Sequence, residues 1–202
     1  MIMKKNHINQ LKKSLVEASR YFFKQGWSLA TSSNYSARIS KKQILITQSG
    51  KDKGQLKKSD LMFVDYEGRA LKPRKARASA ETLLHCDLYK RYENAGAVLH
   101  IHSKAATVLS MKTKGPELVI QGYEMLKALS GVSTHEHREV IPIVENKQNM
   151  HDIIEALQGK LGDTTHAYLI RGHGFYTWGE TVAKTRHQIE ALEFLFQCLL
   201  AQ

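Results

Sequence analysis

Apolar and polar positions change period several times along the chain, and each change marks an element. Between Ile8 and Lys24, the residues Leu11, Leu15, Ala18 and Phe22 recur at helical spacing, which predicts an amphipathic helix closed by Gly26. The stretch Ala30 to Ser40 opens on hydroxyls and an asparagine and runs into a short strand. Ile44 to Thr47 and Leu61 to Asp65 read as further strands, with turns at Ser49-Gly50 and Glu67-Gly68 and a return beginning at Ala70-Leu71. After a basic linker from Lys72 to Arg77, a helix is predicted from Ser79, a plausible N-cap, to about Asn94, with Leu83, Leu84, Leu88 and Tyr92 turned inward. Gly96 separates it from the apolar strand Ala97 to Ile101.

The second half repeats this vocabulary. Ser103 to Met111 reads as a helix, followed by short apolar stretches at Val119-Ile120 and Glu124 to Leu129. Val140 to Val144 is a strand whose Pro142 suggests a sheet edge or a bulge. A helix over Asp152 to Leu161 and a strand over His166 to Arg171 follow. The chain closes with a helix from Glu180 to Ala201, carrying Val182, Ile189, Leu192, Phe196 and Leu199 inward. No internal repeat or linker divides the 202 residues, so one domain spanning 1–202 is expected.

The chemistry concentrates where the apolar strand 97–101 gives way to His100 and His102. Alternate residues of a strand share a face, so these two imidazoles point the same way and can chelate a divalent metal. A third ligand has to come from elsewhere, and His173 is the best candidate, at the end of an apolar strand and between Gly172 and Gly174. Three histidines with an open position describe a catalytic zinc site; ordinary hydrogen-bonded histidines are the alternative for each alone. His135 and His137 have the same spacing but sit among Ser133, Thr134, Glu136 and Arg138, which reads as a solvated loop.

Composition narrows the setting. The formal charge of +11 invites a nucleic-acid reading, but the lysines, Lys53 among them, are dispersed and no basic run is interleaved with aromatics. Most read as solvated surface, with a field that attracts an anionic metabolite as the other effect. Hydroxyls with Asn34 before the first strand can bind an anion, Ser49 with Gly50 forms a second hydroxyl–glycine turn, and the helix opening at Ser79 favours a phosphate. An ordinary turn is the competing reading of the first. Glu81 either satisfies the helix dipole or aims into a site. No run reaches the roughly 18 apolar residues of a membrane span, no apolar segment follows the charged start, and Cys86 and Cys198 are isolated, so a cytoplasmic protein is expected.

In order, Thr31 to Asn34, Ser49-Gly50, Ser79-Ala80-Glu81, His100-Ile-His102 and His173 resemble the motifs of the class II aldolase family, over nearly the whole chain. The resemblance implies a three-layer α/β/α fold around a central, mostly antiparallel sheet. It also implies one Zn²⁺ per subunit on His100, His102 and His173, and a sugar-phosphate substrate held by Asn34, Ser49, Gly50 and Ser79. A homotetramer with sites at subunit boundaries is implied too. Within the family the chain is most similar to members that dehydrate 5-methylthioribulose 1-phosphate to 2,3-diketo-5-methylthiopentyl 1-phosphate in methionine salvage. The segment Gly122-Tyr-Glu-Met-Leu-Lys127 directs that choice, because in those members its glutamate, here Glu124, is the proposed acid/base. Its apolar neighbours Tyr123, Met125 and Leu126 are expected to raise its pKa by desolvation. The aldolases use the position of Glu81 instead. Both glutamates are present, so both are candidates, and retro-aldol cleavage is the alternative reaction. Two departures from the aldolase pattern, Ser33 for a glycine and Ala80 for a serine, count against that alternative. A His₃ site would also accept iron, cobalt or manganese.

Overall fold

The computed structural model describes residues 2–73 and 75–202; Met1, the side chains of residues 2–4, and Arg74, in the basic stretch 72–77, lie outside the description. Among the described residues nine strands form one continuous sheet: β1 (Asn34–Ser40), β2 (Gln43–Thr47), β3 (Leu61–Val64), β4 (Ala70–Lys72), β5 (Ala97–Ile101), β6 (Glu117–Ile120), β7 (Glu139–Val144), β8 (Ala167–Ile170) and β9 (Gly174–Gly179). Their order is β4-β3-β2-β1-β5-β9-β8-β7-β6. Every neighbouring pair is antiparallel except β7 with β8.

The helices are α1 (Ile2–Lys24), α2 (Thr82–Arg91), α3 (Lys104–Lys112), α4 (Met150–Ala156) and α5 (Val182–Leu200). Side-chain alternation sorts the core into two layers. Leu15, Phe22, Tyr35, Ala37, Leu99, Ile101, Phe175 and Leu192 pack together on the face covered by α1, α3 and α5. Ile44, Ile46, Leu84, Leu88, Val98, Ile153, Tyr176 and Trp178 pack on the face covered by α2 and α4. This is the expected three-layer α/β/α arrangement with a mostly antiparallel centre, and burial of both sheet faces is its main stabilising term.

Five readings need correction. The helix expected over Asp152 to Leu161 is Met150–Ala156, followed by turns from Leu157. Strand β9 is absent from the sequence reading because both its faces are buried, so it shows no polar alternation. Pro142 does not lie on an edge strand: β7 is flanked by β6 and β8. Its registered pairs with β8 are Ile143 with Leu169 and Val144 with Ile170, so the missing N–H falls ahead of that ladder. The helix expected from Ser79 begins at Thr82 and ends at Arg91, preceded by a turn in which the Glu81 N–H donates to Ser79 Oγ at 3.3 Å. Finally, α1 begins before Ile8, at Ile2.

Candidate metal and anion site

Strands β5 and β9 and the turn between β8 and β9 assemble the histidines. His100 is the fourth residue of β5 and is fully buried, stacked on Tyr176 of β9 at 4.1 Å between ring centroids. Its Nδ1 lies 2.9 Å from the Phe175 carbonyl oxygen, which can only accept. Nδ1 therefore carries the hydrogen, and Nε2 keeps its lone pair for a ligand. His102 follows the end of β5, held by its N–H donating to the Trp27 carbonyl at 2.9 Å. His173 sits at the turn entering β9. A Cβ on the next residue, Gly174, would stand 2.1 Å from the Ile101 carbonyl oxygen, so only glycine lets this turn close against β5.

The three Nε2 atoms converge, with 2.8 Å between His100 and His102 and 3.0 Å between His102 and His173. Glu81 joins them, its Oε1 3.2 Å from His173 Nε2 and 3.9 Å from His100 Nε2. Burial pushes His100 well below the usual histidine range, and burial with the neighbouring His173 pushes His102 down to about 4, so both are held as neutral ligands. Burial would raise Glu81, but positive charge on the neighbouring His100 and His173 rings, where protons occupy their Nε2 atoms, outweighs it and holds the carboxylate below its ordinary value; a cation bound to the three Nε2 atoms would put a positive charge in the same place. Convergent lone pairs on three imidazoles beside a carboxylate fit a divalent first-row metal ion.

Behind Glu81 runs a directional relay. The Asn34 Nδ2 donates to Glu81 Oε2, and Asn34 Oδ1 accepts from His85 Nε2. His85 Nδ1 then accepts from the Ser36 hydroxyl at 2.7 Å, and Ser36 Oγ accepts from Tyr89 at 2.9 Å. Burial depresses His85 to about 3, which keeps the ring neutral and the relay in one direction. The Asn34 amide, expected to face a phosphate, is thus committed first to orienting Glu81. His85 was legible as the residue one helical turn after Glu81, but nothing local announces that it meets β1.

Asn34, Ser49, Gly50 and Ser79 all line one small cavity of about 90 Å³, together with Glu81 and His102. The expected anion residues and the histidine cluster therefore share a wall. Lys53, read as solvated surface, lines the same cavity and is only 1% exposed.

Glu124 is elsewhere. It begins a short 3-10 helix, its side chain is 73% exposed, and its Oε1 accepts from Lys127 at 2.8 Å. The apolar surroundings expected to raise its pKa are not there; the Lys127 hydrogen bond lowers it. It borders a surface hollow with Met125, Ala128 and Phe194.

A second cluster corrects the reading of 135–137 as wholly solvated. His135 is exposed, but His137 Nε2 lies 2.8 Å from Oε2 of the buried Glu139, which also takes His166 Nδ1 at 2.8 Å. His166 Nε2 is bonded to the Ser130 carbonyl at 2.8 Å, so both ring nitrogens face acceptors, which favours the imidazolium form. Burial lowers its basicity, but the hydrogen bond and charge of Glu139 outweigh burial and raise it. A raised folded value stabilises the protein fully below the unfolded value of about 6.5, and that contribution is lost as pH rises through the folded value. Thermal unfolding of wild type and His166→Gln should differ by about 2–4 °C in mild acid, the scale of about 1 kcal/mol, and converge in alkali. Parallel curves across that range would exclude the imidazolium.

The profile of the class II aldolase and adducin N-terminal domain family matches residues 13–200. A methylthioribulose-1-phosphate dehydratase of Pseudomonas syringae pv. syringae is 50% identical over 195 residues, covering 95% of this chain and 94% of its own. Among solved structures, an L-fuculose-1-phosphate aldolase from Thermus thermophilus superposes with a TM-score of 0.75 at 27% identity, covering 96% of this chain and 95% of that one. YgbL of Klebsiella pneumoniae superposes with a TM-score of 0.82 at 22% identity, covering 96% and 90%, which speaks to the fold alone. No helix of the described residues is long and apolar enough to cross a membrane. By its profile, its relatives and its sheet, the chain belongs to the class II aldolase and adducin N-terminal domain family.

Proposed function

We propose that the protein dehydrates 5-methylthioribulose 1-phosphate to 2,3-diketo-5-methylthiopentyl 1-phosphate, a metal-dependent hydro-lyase step of methionine salvage. The observation that carries this is the shared wall: His102 and Glu81 belong both to the imidazole cluster and to the hydroxyl-lined cavity. A ketose phosphate anchored in the cavity has its carbonyl end beside the three histidines. The 50% identical dehydratase relative supports the substrate.

His100, His102 and His173 would hold zinc, which when bound supplies Lewis acidity toward a ketone and acidifies the adjacent C–H. Glu81, gripped by Asn34 and held ionised by the positive charge beside it, is a poor proton acceptor near neutral pH and serves as the fixed carboxylate of the cluster. The proton is then moved by Glu124, which must come from a neighbouring copy, since within one chain it borders a different hollow. That assignment rests on the family resemblance, with its subunit-boundary sites and homotetramer. Exposed Met125 and Phe194 beside Glu124 offer apolar surface that such an assembly would cover. The proton taken from the carbon and the hydroxyl lost from its neighbour leave together as one water, and the enol left behind moves its O–H proton to the carbon that lost the hydroxyl, giving the diketone.

The test is incubation of the metal-loaded protein with 5-methylthioribulose 1-phosphate and mass analysis. A single product lighter by one water is expected; two carbon fragments would establish retro-aldol cleavage instead. For the anchor, Ser49→Asp and Ser79→Asp should each raise KM about 10-fold or more while kcat changes less, because a carboxylate meets the phosphate in a cavity of about 90 Å³. An unchanged KM in both variants would displace the phosphate from this cavity.

A further inference from the structure

The loop that follows β2 carries a buried ammonium that no ion pair accounts for. Lys53 is fixed from behind by α1: the Ser19 hydroxyl donates to the Lys53 carbonyl at 2.8 Å. The next residue, Gly54, lies so close to α1 that a Cβ there would meet the Phe23 ring at 2.7 Å. The Lys53 side chain returns toward the cavity, and Nζ donates to the carbonyls of Lys51 at 2.9 Å and Thr31 at 3.2 Å. An ammonium has three N–H donors, so one is left. Among the described residues Lys53 has no salt-bridge partner. Its neighbour Asp52 commits Oδ1 to the Gly54 and Gln55 N–H groups.

Burying a cation is costly unless it is paired. Two neutral carbonyls compensate it in part, and burial accordingly pulls the Lys53 ammonium down to about 8, against the opposing influence of Asp52 and Glu81. The cavity it lines is otherwise walled by neutral hydroxyls, Gln48 and Gly50, with Glu81 and His102 at the metal end. Lys53 is the one lysine or arginine among the described lining residues. A phosphate ester entering without a cation would lose its hydration for neutral donors alone.

From this geometry we infer that Lys53 is the cation of the phosphate subsite, its free N–H donating to a phosphoryl oxygen, and that it makes the site select phosphorylated over neutral sugars. Thr31 and Lys51, through their carbonyls, hold the ammonium in place before the ligand arrives. The pre-set loop means that binding orders little new chain, which preserves the gain of one charge-assisted hydrogen bond. The inference rests on the phosphate-ester reading of the cavity.

The test is calorimetric titration of the metal-loaded protein with inorganic phosphate. Lys53→Met should weaken phosphate binding by about 10- to 100-fold, the scale of one hydrogen bond to a charged group, with metal content unchanged. Lys53→Cys alkylated with bromoethylamine, which restores an ammonium at nearly the same reach, should recover most of the affinity. Alkylation with a neutral reagent of the same length should not, which separates charge from loop support. Affinity in Lys53→Met within twofold of wild type overturns the inference. Should both variants fail to fold, a crystal of the wild-type protein with inorganic phosphate decides: a phosphoryl oxygen within about 3.2 Å of Nζ supports the inference, and any other placement overturns it. Failure of the dehydratase reading is separately visible, as wild-type protein that binds phosphate through Lys53 yet releases no water from the sugar phosphate.

Discussion

His173→Ala should give a folded protein that has lost its metal and its turnover together. His173 is the cleanest of the three histidines to remove. Its side chain is partly exposed at the turn, whereas His100 is wholly buried against Tyr176 and its loss would open a core cavity. Changing an outer-shell partner of a metal ligand already costs about 10- to 100-fold in affinity, so removal of a ligand should exceed that. Elemental analysis should read about one divalent ion per chain in wild type and close to none in the variant, with an unchanged circular dichroism spectrum. His135→Ala should keep the ion because His135 belongs to neither metal-capable group, and His137→Ala should keep it because His137 sits with Glu139 and His166, apart from the triad. Stoichiometric metal in His173→Ala would rule out the triad.

Glu124→Gln should lower kcat by about 100-fold or more while leaving metal and assembly intact, the scale of a lost acid/base. In an isolated chain this residue is a solvent-exposed ion-pair partner of Lys127, a setting in which substitution ordinarily changes little. A large kinetic effect from so exposed a position therefore points to a site shared between copies. Hybrid assemblies extend the test. Mixing Glu124→Gln chains with inactive His173→Ala chains should restore part of the activity, since some sites then pair an intact metal triad with an intact glutamate from the other copy. Glu81→Gln should act differently: the amide keeps one acceptor oxygen for Asn34 but loses the negative charge beside the histidines, so metal affinity and phosphate geometry fall along with rate. Normal turnover in Glu124→Gln, with a dead but metal-replete Glu81→Gln, would make Glu81 the base and bring the aldolase-like arrangement forward.

Legibility differed from residue to residue. His100 and His102 could be paired from the chain alone because strand alternation places i and i+2 on one face, and the structure converges their Nε2 atoms to 2.8 Å. The helical stripes of α1 and α5 were visible from their own period, and His173 stood out as a histidine between two glycines at a strand end. Five ordered motifs carried the family and with it the layer architecture. These are properties of local period and of motif order, which the chain writes directly.

What tertiary structure decided is which distant faces meet. His173 joins the pair because β9 lies beside β5, and Glu81 arrives because the turn before α2 packs over β1, where Asn34 grips it. Lys53 has the composition of a surface residue and becomes a buried cation because Gly54 presses its loop onto Phe23. His137 finds Glu139 two residues on and His166 just ahead of β8, turning a polar loop into a buried ion pair. Glu124 went the other way: Tyr123, Met125 and Leu126 suggested an apolar pocket, but in a short 3-10 helix only Leu126 turns fully inward. Sequence neighbours fix which face a side chain shares, whereas its solvation, and hence its charge and chemistry, depends on what the sheet order brings against that face.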